Sequence, residues 1–192
     1  MKYLPKLIFT FSLACFLTPT WAHPGISHLH GFVSGFIHPW LGVDHWLAVF
    51  AVGLYAHCHG DNAIQALPLW YLVFMTLGVG LSASDIAVPA VEGGIVLSLF
   101  VMALVLIIKP HNFRNVMLPI IAYAALSQGY VHAEEANASD LILSQLLGLV
   151  LATSLLLALG LLTSRLSAKK QASLRLITSL SCFAIGTYAL VG

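Results

Sequence analysis

Long apolar runs alternate with short polar interruptions along this chain. The runs lie at about residues 40–57, 64–84, 89–108, 115–134, 140–163 and 174–191. Each has a length suited to crossing the hydrocarbon core of a bilayer, roughly 30 Å thick. Gly60-Asp61-Asn62, Pro89, Lys109-Pro110, the acidic stretch 134–140 and the segment from Arg165 to Arg175 punctuate them as turns. Because backbone polar groups in lipid must be satisfied within each segment, these runs predict helices. The predicted fold class is all-α, a polytopic bundle of six transmembrane helices.

Residues 1–22 follow a different pattern. Lys2 and Lys6 precede an apolar run from Leu7 to Leu17, and small residues stand at Thr20 and Ala22. That is the order of a cleavable signal peptide, and its run is too short to span comfortably. Cleavage after Ala22 would leave residues 23–192 as one six-helix domain, opening on a His-rich segment, 23–39. Only 8% of the 192 residues are charged and 59% are hydrophobic, whereas about a quarter are charged in a soluble domain. The chain is read as an integral membrane protein, with the lipid bilayer as its surroundings and no basic surface for nucleic acid.

Charge then orients the bundle. With an exported N-terminus, the turns near 58–63, 109–114 and 164–175 face the cytoplasm and hold Lys109, Arg114, Arg165, Lys169, Lys170 and Arg175, every basic residue after the signal peptide. The opposite side carries Asp85, Glu92, Glu134, Glu135 and Asp140. This positive-inside bias predicts a bacterial inner-membrane protein with both mature termini periplasmic. Cys58 and Cys182 fall at opposite faces on this topology, so no disulfide framework is expected.

Nine histidines are sorted by the same topology. His23, His28, His30 and His38 lie outside or at the outer interface, with His45 just inside the first span and His132 near the outer end of the fourth. Ionisable groups within a span cost roughly 2.5 to 3.5 kcal/mol each, so they mark function. Imidazole combined with carboxylate suits Ni(II), Co(II), Zn(II) or Cu(II) better than Ca(II) or Mg(II). The candidate transport path is His38, Asp44, His45, Glu92, His132 and Glu135, the last two sharing a helix face with Gln128. Asp44 is either a ligand or the partner that fixes a histidine tautomer.

His38 and His45 share a face of a regular helix but stand roughly 10 Å apart along its axis. They meet at one ion only if the chain bends near Pro39, which suits a helix's first turn. Otherwise they are successive stations, or each pairs with groups from other helices. His23, His28 and His30 are candidates for outer capture, and His57, Cys58 and His59 for cytoplasmic exit. No HExxH, P-loop or nucleophile-elbow motif is present, so the chain is read as no enzyme and no ATPase. Neutral imidazoles are needed for ligation, so uptake is expected to fall as the outside is acidified through about pH 6.5.

These residues resemble the HupE/UreJ family. Gly31-Phe32 and Gly35-Phe36 lead into His38-Pro39, Gly42, Asp44-His45, Leu47-Ala48 and Ala51-Val52-Gly53, and Pro89, Val91, Glu92, Gly94, Ile95 and Ser98 resemble a second motif. In the fourth span Gly129, His132 and Glu135 match, while Gln128 stands where a histidine is usual and Ala133 where a glycine is usual. The resemblance implies a nickel permease serving hydrogenase or urease maturation, with Ni(II) as transported ion and no permanent cofactor. It also implies nickel chaperones or maturation proteins as cytoplasmic partners. Alternatives are a Co(II) permease, a metal-binding accessory protein that does not transport, and a b-type haem membrane protein.

Overall fold

The computed structural model describes residues 31–58, 61–108, 114–135 and 142–191. Seven α-helices make up almost all of them: α1 (Phe32–Leu41), α2 (Val43–Cys58), α3 (Asp61–Ala83), α4 (Val91–Ile108), α5 (Arg114–Glu134), α6 (Ile142–Leu162) and α7 (Ala168–Val191). A 3-10 turn, Thr163–Arg165, joins the last two. The all-α expectation holds throughout the described residues, which contain no strand. The expected signal peptide, His23, His28, His30 and His59 lie outside them.

Four of these helices are long and apolar enough to cross a membrane, through Ala66–Ala83, Val91–Ile108, Leu143–Arg165 and Ala168–Val191. The other two expected spans differ in kind. Helix α2 has 16 residues, a rise of ~24 Å. Helix α5 has 21 but carries Gln128, His132 and Glu134 among its apolar positions. Of the six expected spans, four are matched by helices long and apolar enough to cross a membrane, while α2 is short for a crossing and α5 is polar toward its end.

Boundaries shift as well. The last helix begins at Ala168 rather than near 174, so Lys169, Lys170 and Arg175 ride on its first turns. Gln171 makes that early start feasible: its side-chain amide donates to the carbonyls of Ser164 at 3.1 Å and Leu166 at 2.8 Å, closing the end of the preceding turn.

Helix α2 is the axis of the bundle. Leu47, Ala48, Val49 and every residue from Ala51 to Ala56 are buried, because α3, α4, α6 and α7 all pack against it. A helix apolar on every side is stable only when enclosed in this way.

Around it the largest interface joins α3 and α5, which run parallel. A Cβ on Gly78 would lie 2.0 Å from the Leu126 carbonyl oxygen, and one on Gly129 would lie 1.9 Å from that of Met75. Only glycine allows two backbones so close, the small-residue packing typical of membrane helices. Gly35 of α1 and Gly148 of α6 make the same kind of contact, with 2.0 and 2.1 Å to opposing carbonyl oxygens.

Helix α4 runs antiparallel to α5 and to α7. These directions gather the α3–α4 connection, the end of α5 and the start of α6 at one end of the bundle. The end of α2, the starts of α3 and α5, the end of α4 and the α6–α7 connection, with Arg114, Arg165, Lys169, Lys170 and Arg175, occupy the other.

Candidate metal centre

The short helix α1 takes up the end of the His-rich segment 23–39 and the first residues of the first expected span. Pro39 stands late within it and not in the first turn of the following helix. Proline in a helix interior forfeits one hydrogen bond, here to Gly35, and crowds that carbonyl. The helix continues only to Leu41, and Gly42, with φ −83° and ψ 109°, leaves helical geometry before α2 begins. The bend therefore falls at Gly42, three residues beyond Pro39.

That break brings His38 and His45 to a common neighbour. The His132 ring lies 4.7 Å from that of His38, edge to face, and 4.8 Å from that of His45. His132 is only 7% exposed. Two side chains that an unbroken helix would separate thus flank one imidazole on α5.

Glu135 lies just past the end of α5, where its N–H still reaches the Val131 carbonyl at 3.0 Å. Its carboxylate contacts His38 Nε2 at 2.8 Å. One donor atom from each of His38, His132 and Glu135 can be drawn so that all lie within 4.8 Å of one another, close enough for one ion to take all three after small side-chain movements.

Asp44 and His45 form the adjacent pair. Asp44 Oδ1 lies 3.1 Å from His45 Nδ1, so the neutral imidazole donates its Nδ1–H and keeps a lone pair on Nε2. That Nε2 is buried without a hydrogen-bond partner among the described residues. A carboxylate that holds one ring nitrogen protonated while the other is left to bind is the usual support for a metal-ligating histidine. A Cβ on Gly42 would sit 3.0 Å from His45 Nδ1 and 3.1 Å from Asp44 Oδ1, so the residue that breaks the helix also leaves room for this pair.

Below His132 the polar stripe of α5 continues inward. Gln128 is buried and accepts a hydrogen bond from the Tyr71 hydroxyl through Oε1. Its Nε2, and the hydroxyl of buried Ser127, have no hydrogen-bond partner among the described residues. Unsatisfied buried polar atoms cost about 1–3 kcal/mol each; Gln128 faces Tyr71 of α3, while Ser127 faces Gly94 of α4.

The remaining candidates separate from this group. Glu92 is exposed in the first turn of α4 and is not one of the clustered donors. His57 ends α2 at the opposite pole, with a buried Nδ1 that has no hydrogen-bond partner among the described residues. Cys58 closes the same helix.

Sequence reasoning passed over Gln145, in the first turn of α6, which faces the same site. Together with His38 and His132 it lines a cavity of about 20 Å³. A glutamine near the start of an apolar run offered no signal, since only the α1–α6 contact carries it there.

The described residues thus form an all-helical bundle with four helices long and apolar enough to cross a membrane and a cluster of imidazoles and a carboxylate at one pole, the architecture of a polytopic membrane protein. The chain belongs to the HupE/UreJ family: the family model described as HupE / UreJ protein matches residues 11–190. It is also similar to Protein HupE of Rhizobium leguminosarum bv. viciae, with 31% identity over 152 residues, 79% of this chain and 80% of the relative. No solved structure matches the chain significantly.

Proposed function

We propose that this chain is a permease that carries a divalent transition-metal ion, Ni(II) before Co(II), from the periplasm to the cytoplasm for maturation of a hydrogenase or urease. The observation that carries the reading is the meeting of His38, His132 and Glu135, with His45 beside them, at one pole of an otherwise apolar bundle. Two or three imidazoles with one carboxylate form a donor set suited to Ni(II) or Co(II). Family membership points the same way.

The ion enters from the acidic side, where Glu92 adds to the attracting field. His23, His28 and His30 collect it there. It then exchanges water for His38, His132 and Glu135, with His45 Nε2 as the next donor. Gln128 and Ser127 offer the polar step inward, and His57, Cys58 and His59 receive the ion at the far turn. An inside-negative potential supplies ~2.3 kcal/mol per charge per 100 mV, so a divalent ion needs no second coupled ion.

Haem ligation by this trio is disfavoured by its own geometry. Imidazoles packed at 4.7 and 4.8 Å leave no slot for a porphyrin plane between them.

Uptake of radiolabelled nickel into sealed proteoliposomes tests the reading. Wild type accumulates the ion down a potential, while His132→Ala and Glu135→Gln do so at a small fraction of the rate. A wild-type protein that binds nickel outside without flux would instead be a metal-binding accessory protein, and the permease reading would be abandoned.

A further inference from the structure

We propose that Gln145 is a ligand of the transported ion, its side-chain carbonyl completing the centre formed by His38, His132 and Glu135. This inference deepens the permease reading and rests on it.

The first support is position. The Gly35 contact seats α1 directly on the Gln145 backbone, 2.0 Å separating a Cβ at Gly35 from the Gln145 carbonyl oxygen. Gln145, contributed by α6, then shares the lining of the small cavity with His38 and His132. Without Gln145, α6 would contribute only Gly148-type packing and leucines to that wall.

The second support is the state of the side chain. Gln145 Oε1 is buried and has no hydrogen-bond partner among the described residues. A carbonyl oxygen with two lone pairs is stranded there, an unfavourable state for a buried acceptor. Coordination to a cation would use it.

Size and charge agree. A cavity of about 20 Å³ admits one water-sized sphere, for which about 10–15 Å³ is needed. It therefore suits an ion stripped of nearly all its water. Three clustered donors leave a first-row divalent ion under-coordinated, and a neutral oxygen adds a fourth without another negative charge. A second carboxylate in its place would hold the ion more tightly and slow its release.

Calorimetric titration of Ni(II) into the full-length protein in detergent tests this, with His132→Ala as reference. Gln145→Leu is expected to weaken binding about tenfold, the lower range for altering a metal site's supporting groups. Gln145→Glu, which puts a charged oxygen at the same place, is expected to tighten it at least threefold. If His132→Ala weakens binding while either Gln145 variant binds at wild-type strength, Gln145 is not a ligand and the histidine centre stands. If wild type itself takes up no Ni(II), both the centre and this inference fall. Should Gln145→Leu not accumulate, Gln145→Glu decides alone, tighter binding supporting the assignment and unchanged or weaker binding overturning it.

Discussion

Helices α4 and α7 meet much as helices in a membrane are expected to. Their contact is antiparallel and apolar, with Leu99 fully buried, Phe100 and Phe183 edge to face at 5.6 Å, and the Ser179 hydroxyl returned to the Ala103 carbonyl. Among the described residues, no buried side-chain nitrogen or oxygen of these two helices is found stranded without a partner. Helices α1, α2 and α5 meet differently, around three imidazoles, two carboxylates and buried polar atoms such as His45 Nε2 that have no hydrogen-bond partner among the described residues. The first region lowers the free energy of the fold, and the second spends some of it to hold donors in place. The histidines and carboxylates of the cluster stand on or beside α1, α2 and α5, none of them among the four helices long and apolar enough to cross a membrane.

Substitutions can break or sharpen this contrast. The largest effect is expected at the backbone contact that fixes α5. Gly129→Leu would force side-chain atoms into the Met75 carbonyl, and the protein should fail to accumulate in the membrane, as read by immunoblot against wild type. Next is Leu99→Ala on the apolar side. It should cost about 2–5 kcal/mol of stability, seen as a lower unfolding temperature in detergent, while the half-saturating nickel concentration of the surviving protein stays unchanged.

Asp44→Ala should do the reverse. Unfolding temperature should hold within error, since the carboxylate is partly exposed, while nickel half-saturation rises about tenfold as His45 loses its orienting partner. The smallest effect is reserved for Gln128→His. An imidazole there would meet Tyr71 and lie one turn below His132, so apparent nickel affinity should rise about threefold, a modest gain for one added donor near an existing set. An unaltered half-saturation point would remove Gln128 from the ion's route.

The apolar region was legible in the chain because its physics is local. Runs of Leu, Val and Ile with few charges specify α4, α6 and α7 whatever surrounds them. Glu92, read from the same run, was placed on the path, yet its side chain is exposed: a run of sequence identifies a helix end but not which way it faces. At the polar pole, residue types were readable and geometry was not. His38 and His45 can meet at one ion only if the chain bends between them; the sequence offers both Pro39 and Gly42 for that bend, and the break falls at Gly42. Gln145 was invisible, because its relevance arises only when α1 and α6 close upon each other at Gly35 and Gly148. Donor sets assembled from three helices are long-range facts, and composition reports only their ingredients.

The central claim is that the ion sits among His38, His132 and Glu135. X-ray absorption at the nickel edge of the Ni(II)-loaded protein reads the donors directly, by comparing wild type with His132→Ala. At least two imidazoles together with oxygen donors are expected in wild type, and one imidazole fewer in the variant. An identical imidazole count in both proteins, at equal nickel loading, would contradict it.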